Sequence, residues 1–136
     1  GLERVKMSVG YKKLIEEARA EIKNLEVAEA IALYGEKNTV FVDIRDVREL
    51  EREAMIPNSF SAPRGMLEFW FDPQSPYHKE IFSSGKQLVF YCASGWRSAL
   101  ATQTAQKMGL ENVCHIDGGL AAWKKADGEV VKRKPK

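Results

Sequence analysis

Cys92 closes the apolar run Val89-Phe90-Tyr91, and Gly95, Arg97 and Ser98 follow within the next six positions. Cysteine acts as a nucleophile through its thiolate, which backbone N–H groups, the positive end of a helix and a nearby guanidinium all favour. The segment Cys92-Ala93-Ser94-Gly95-Trp96-Arg97-Ser98 offers all three: a loop that can turn its N–H groups inward, a helix predicted from Ser98, and Arg97 itself. Gly95 supplies the left-handed or tight conformation such a curl needs, and Arg97 is placed either to face an anion or to brace the loop. The competing reading is a small core residue at the end of a buried strand. The glycine, arginine and serine that follow weaken it.

Elements on both sides must hold that loop. Leu14, Ile15, Ala18 and Ile22 recur at helical spacing and predict an amphipathic helix over 11–25; Ala28, Ile31 and Ala32 predict a second over 27–34, with Gly35 at its end. Thr39-Val40-Phe41-Val42 reads as a strand buried on both faces that ends at Asp43, and Asp46 is placed to cap a helix over 47–53. Ile56-Pro57-Asn58-Ser59-Phe60 predicts a turn into a brief edge strand. Met66 to Phe71 is rich in aromatics, Pro73 and Pro76 break the chain, and a short helix is expected over 77–82. Strand 87–91, helix 98–108, strand 112–116 and helix 120–126 follow, the last after Gly118-Gly119. Alternating strands and helices imply a parallel sheet covered on both faces, with ligands beyond the carboxyl ends of the strands. Asp43 and Cys92 both lie at such ends.

A length of 136 residues suits one domain with a substantial core, and 44% hydrophobic with 29% charged residues is ordinary for a globular chain. The formal net charge is +2, and Lys132, Arg133, Lys134 and Lys136 are read as a short solvated basic tail, with no nucleic-acid role. Cys92 and Cys114 are too few for a disulfide framework and lack zinc-site spacing, which fits a reducing, cytoplasmic setting. No apolar run approaches the roughly 20 residues that span a bilayer, and no signal-peptide pattern opens the chain, although Gly1 stands where an initiator methionine would.

Four motifs in order resemble the rhodanese (sulfurtransferase) family: Asp43-Ile44-Arg45, Ile56-Pro57, the loop Cys92 to Ser98, and Gly118-Gly119-Leu120-Ala121-Ala122-Trp123. The resemblance spans about residues 22–126. It implies a three-layer α/β fold with a mostly parallel central sheet of about five strands and helices on both faces. The chain then divides into a helical extension over 1–21, the rhodanese-like domain over 22–127 and the tail over 128–136. It also implies a mechanism: Cys92 attacks the sulfane sulfur of a donor such as thiosulfate, holds it as a persulfide and passes it to cyanide or a thiol. The N–H groups of Ala93, Ser94, Gly95, Trp96, Arg97 and Ser98 are expected to stabilise the sulfur, with Arg97 attracting an anionic donor. No metal or organic cofactor is expected, and no membrane or nucleic-acid partner; the oligomeric state is left open.

Asp43 and Arg45 are expected to support the site, a surface ion pair being an equal reading for Arg45, and Arg64 to line its mouth. Phe69, Trp70 and Trp96 are candidates for an apolar rim, with ordinary core the stronger reading for Phe69 and Trp70. Cys114 is expected to be inert core, and His78 and His115 have no catalytic partner in the sequence. The chain departs from the family pattern with Met55 before Ile-Pro and Asn58-Ser59 after it, and its loop side chains are neutral, so the donor is open. A cysteine phosphatase or arsenate reductase is the nearest rival enzyme. Such loops place one residue more between cysteine and arginine than Ala93 to Trp96 here. A non-catalytic rhodanese-like binding module is the rival from another class.

Overall fold

The computed structural model describes residues 4–133. Its centre is a five-stranded parallel sheet in the order β1-β6-β5-β2-β4. The strands are β1 (Asn24–Leu25), β2 (Thr39–Asp43), β4 (Phe60–Ser61), β5 (Gln87–Tyr91) and β6 (Val113–Ile116); β3 (Ala54–Met55) stands apart. The helices are α1 (Tyr11–Glu21), α2 (Val27–Leu33), α3 (Val47–Arg52), α4 (Leu67–Phe71), α5 (Trp96–Lys107) and α6 (Gly119–Lys125). Short 3-10 segments cover Arg64–Met66 and Glu80–Ser83.

Alternation along the central strands makes two cores. Val42, Leu88, Phe90, Cys92 and Val113 face one way, against Leu67 and Phe71 of α4 and Ala101 and Ala105 of α5. Phe41, Val89, Tyr91, Cys114 and Ile116 face the other way, against Ala30 of α2 and Leu120 and Trp123 of α6. Trp123 meets Phe41 and Tyr34 edge-on at ring distances of 5.6 and 5.7 Å. This is the expected three-layer α/β architecture, with both strand-end residues of interest, Asp43 and Cys92, on the same edge.

Three expectations need correction. The first helix stops at Glu21, not Leu25: the Asn24 side chain donates to Arg19 O at 2.9 Å and Ile22 O at 3.3 Å, capping the final carbonyls. Asn24 and Leu25 are thereby released into β1, paired with His115 and Ile116. The helix expected over 77–82 is a single 3-10 turn at Glu80–Ser83, the preceding chain being held by Asx- and Ser-type turns at Asp72 and Ser75. The tail is not merely solvated, because Val131–Lys132 forms β7, antiparallel to β3. Trp123 Nε1 donates to Glu129 O at 2.8 Å and leads the chain there. Gly1, Lys134 and Lys136 lie outside the described residues. Ala18 of α1, and Ile22 just beyond its end, pack against Ala99 of α5, and Arg19 pairs with Asp117 at 2.9 Å.

Among the described residues no helix is long and apolar enough to cross a membrane.

Candidate active site

Strand β5 delivers Cys92 to the carboxyl edge of the sheet, where the chain leaves the ladder and turns within three residues into α5. Gly95 makes the turn with φ of +97°, and a Cβ there would lie 3.1 Å from Gly118 N, so both space and conformation call for glycine. The curl aims two backbone donors at the sulfur: Gly95 N–H with N···Sγ of 3.2 Å, and Ser98 N–H at 3.4 Å. They are the two backbone donors on Sγ among the described residues, fewer than the full run from Ala93 to Ser98. Cys92 is 1% exposed, so these donors act on it with little competition from water.

What turns the loop's N–H groups inward is the start of α6. Leu120 N–H donates to Cys92 O at 2.9 Å and Ala121 N–H to Ala93 O at 3.0 Å, drawing the loop carbonyls away from the sulfur. Those bonds need a backbone approach that only glycine permits: a Cβ on Gly119, whose φ is +60°, would lie 2.7 Å from Cys92 O. The paired glycines of the sequence thus build the nest from outside it.

Arg97 does not point free into the loop. Its two terminal nitrogens grip Glu49 of α3 as a fork, at 2.8 and 3.0 Å. The hydrogen bond from Arg97 holds the Glu49 carboxyl below its usual range, and Glu49 in turn raises Arg97 further. Of the two roles foreseen for Arg97, bracing is the one its contacts display. Glu49 also accepts from Asp46 N–H, completing a capping box at the start of α3. Arg64 is exposed at the same edge, its N–H bonded to Ile44 O at 3.2 Å.

Asp43 and Arg45 are wholly buried, which overturns the surface-pair reading of Arg45. Arg45 donates Nε and Nη2 to Asp43 at 3.0 and 2.9 Å, and its Nη2 also reaches Ala54 O at 2.9 Å. The pair ties the end of β2 to β3. Beneath it the Tyr91 hydroxyl accepts from Ile56 N–H at 3.1 Å and meets Ser59 Oγ at 2.9 Å. Burial, then the charge of Asp43, pushes its ionisation far upward.

Nothing in the residue pattern joins His115 to Cys92, yet a chain of polar atoms does so. Cys92 Sγ lies 3.5 Å from Ser98 Oγ, Ser98 Oγ lies 2.9 Å from His115 Nδ1, and His115 Nε2 lies 2.7 Å from Asn24 Oδ1. Burial pushes the imidazole down to about 4, so it is neutral at pH 7. Period-two alternation carries the signal that was available, since His115 sits two residues from Val113 on the α5 side. Glu49 and Asn24 carried no such signal. His78 belongs elsewhere, bonded to Trp70 O and Ser83 Oγ at 2.9 and 3.0 Å. Phe69 is 54% exposed rather than core, Trp70 packs at the core margin, and Trp96, 53% exposed, meets Tyr11 at a tilt with ring centroids 5.1 Å apart.

Comparison with known proteins places these features among relatives. A solved structure from Rhodopseudomonas palustris, described as a protein of unknown function and possible tyrosine phosphatase, is 53% identical. It superposes with a TM-score of 0.92 over 96% of this chain and 100% of that one. The thiosulfate:glutathione sulfurtransferase of Saccharomyces cerevisiae is 34% identical over 98 residues, covering 68% of this chain and 69% of that protein. An uncharacterized protein of Synechocystis is 36% identical over 95 residues, 70% of this chain; the chain spans 48% of that relative's length. The family model of the Rhodanese-like domain matches residues 26–126, from the end of β1 through α6, and the chain belongs to that family.

Proposed function

We propose that the protein is a sulfurtransferase that carries a sulfane sulfur on Cys92. The Cys92 thiolate attacks the outer sulfur of thiosulfate or a similar donor; the donor's S–S bond breaks and sulfite leaves with the bonding pair. The persulfide then gives its terminal sulfur to cyanide, as thiocyanate, or to a thiol, and the thiolate returns. The Gly95 and Ser98 N–H groups, which meet Sγ, stabilise the attacking thiolate. The Arg97–Glu49 fork and the Asp43–Arg45 pair hold the loop and the end of β2, and exposed Arg64 meets the donor's anionic group at the mouth.

The observation that carries this reading is the short curl on Sγ, four residues from Ala93 to Trp96 between cysteine and arginine. A phosphoryl group needs more equatorial donors and a guanidinium turned toward it. The description of the R. palustris relative as a possible tyrosine phosphatase favours that second reading. Against it, the arginine such a site would use is taken up by Glu49. Intact-mass spectrometry after thiosulfate or mercaptopyruvate treatment is expected to show a gain of one sulfur, absent in Cys92→Ser. No gain, or a gain that survives Cys92→Ser, removes the proposal. Turnover of an aryl phosphate without thiocyanate formation replaces it with phosphatase chemistry.

A further inference from the structure

Ser98 and His115 are fully buried beside the sulfur, and the transfer steps above make no use of their side chains. Their hydrogen bonds can be assigned in one direction. Asn24 Nδ2 donates to two carbonyls, Arg19 O and Ile22 O, which fixes the amide and leaves Oδ1 as the atom facing His115 Nε2. Oδ1 can only accept, so Nε2 carries the ring proton and Nδ1 of the neutral imidazole is an acceptor. The Ser98 hydroxyl therefore donates to Nδ1 at 2.9 Å and turns its lone pairs toward Cys92 Sγ at 3.5 Å. Lone pairs there suit a sulfur that bears a proton, not one that bears a charge.

We propose that His115 is a positioning residue that holds the Ser98 hydroxyl proton away from Cys92, so that the loaded persulfide, with its uncharged Sγ, is favoured over the bare thiolate. The inference rests on Cys92 being the sulfur carrier. A bare thiolate draws the Ser98 proton to itself and strands Nδ1 as a buried acceptor with no donor. The thiol and the persulfide, whose Sγ is uncharged, leave the Ser98–His115 bond intact. The charged and titratable groups around Cys92 and His115 are Arg97 with Glu49, Asp43 with Arg45, and Asp117 with Arg19, each engaged in an ion pair.

Nitrogen NMR of the histidine rings in the wild-type chain at pH 7 reads the tautomer directly. The Nε2–H form of His115 is expected; the Nδ1–H form or an imidazolium overturns the proposal. Alkylation of Cys92 by iodoacetamide reads the consequence, with peptide mapping to separate it from Cys114. His115→Leu is expected to raise the rate at pH 7 by about tenfold, the equivalent of one buried hydrogen bond redirected to the thiolate. Asn24→Leu keeps the imidazole but frees its tautomer, and moves the rate in the same direction. His115→Asn, whose amide oxygen can stand in for Nδ1, brings the rate back toward wild type. An unchanged or slower rate in folded His115→Leu, or a rise that persists in a Ser98→Ala background, overturns the proposal. If His115→Leu does not fold, the wild-type tautomer and Asn24→Leu decide. None of these readouts needs a sulfur donor. Failure to load sulfur with the expected tautomer and rates removes the proposed function, whereas a loaded persulfide beside an Nδ1–H ring removes only this one.

Discussion

Cys92, just past the end of β5, and Cys114, within the neighbouring β6, are 1% and 0% exposed and differ in the donors their sulfurs receive. Cys92 stands past the end of β5, where the ladder has stopped and backbone N–H groups are free to turn onto the sulfur. Cys114 stands inside β6, where its neighbours' N–H groups belong to the sheet. Among the described residues it keeps a long contact from Gln87 Nε2, at 3.9 Å, and its own bond to Leu88 O, at 3.7 Å. Burial pushes its thiol up to about 11. Which sulfur collects backbone donors is therefore decided by where a strand ends, not by access to water.

The largest break in that comparison is Cys92→Ser, which is expected to abolish sulfur loading, while Cys114→Ser loads one sulfur as wild type does; intact mass distinguishes them. Loss of loading in both would mean that Cys114 takes part. Next comes Gly119→Ala, which keeps Cys92 but pushes a methyl into the Cys92 and Ala93 carbonyls. Urea unfolding is expected to show a loss of about 3 kcal/mol, and Cys92 alkylation to fall toward the rate of Cys114. A stable Gly119→Ala protein with an unchanged Cys92 rate would deny α6 its part in building the nest.

A smaller effect comes from pH. His115 is lowered in the folded chain from 6.5 to about 4, so the unfolded chain binds the extra proton between those values. Stability is then full above pH 6.5 and falls as pH drops toward 4, by about 2 kcal/mol at pH 5. His115→Asn should flatten that part of the urea midpoint profile relative to wild type. The smallest is Glu49→Gln, which releases Arg97 toward the donor: KM for thiosulfate is expected to fall about threefold with kcat little changed, the size of a half-exposed ion pair. A raised KM would instead mark Glu49 as essential bracing.

Much of this arrangement was legible in the residues. Apolar runs ending at Asp43 and Cys92, glycines at turns and the order of four motifs were enough for the layers, the strand-end site and the loop. Contacts between residues far apart in sequence were not. Glu49 reads as one more charge on an exposed helix until α3 is set beside α5, where it captures Arg97. Asn24 reads as helix because its neighbours are helix formers, and its own side chain is what ends α1. Val131 and Lys132 sit among charged residues that predict solvation; the partner that makes them a strand, β3, is two residues long and leaves no period to recognise.

The pairing of β1 with β6 has a kinetic consequence. Asn24 and His115 are 91 positions apart, and their contact sets the outermost parallel strand of the main sheet on that side. Parallel pairings across such separations close late, after the loop entropy of the intervening chain has been lost to other contacts. A chain whose central strands β2 and β5 have already zipped together can therefore hold Cys92 at its strand end before Asn24 arrives to orient the imidazole. Refolding followed by pulsed alkylation would then see a transient in which the nascent site is more reactive than the finished one, so that completing the fold quiets the cysteine.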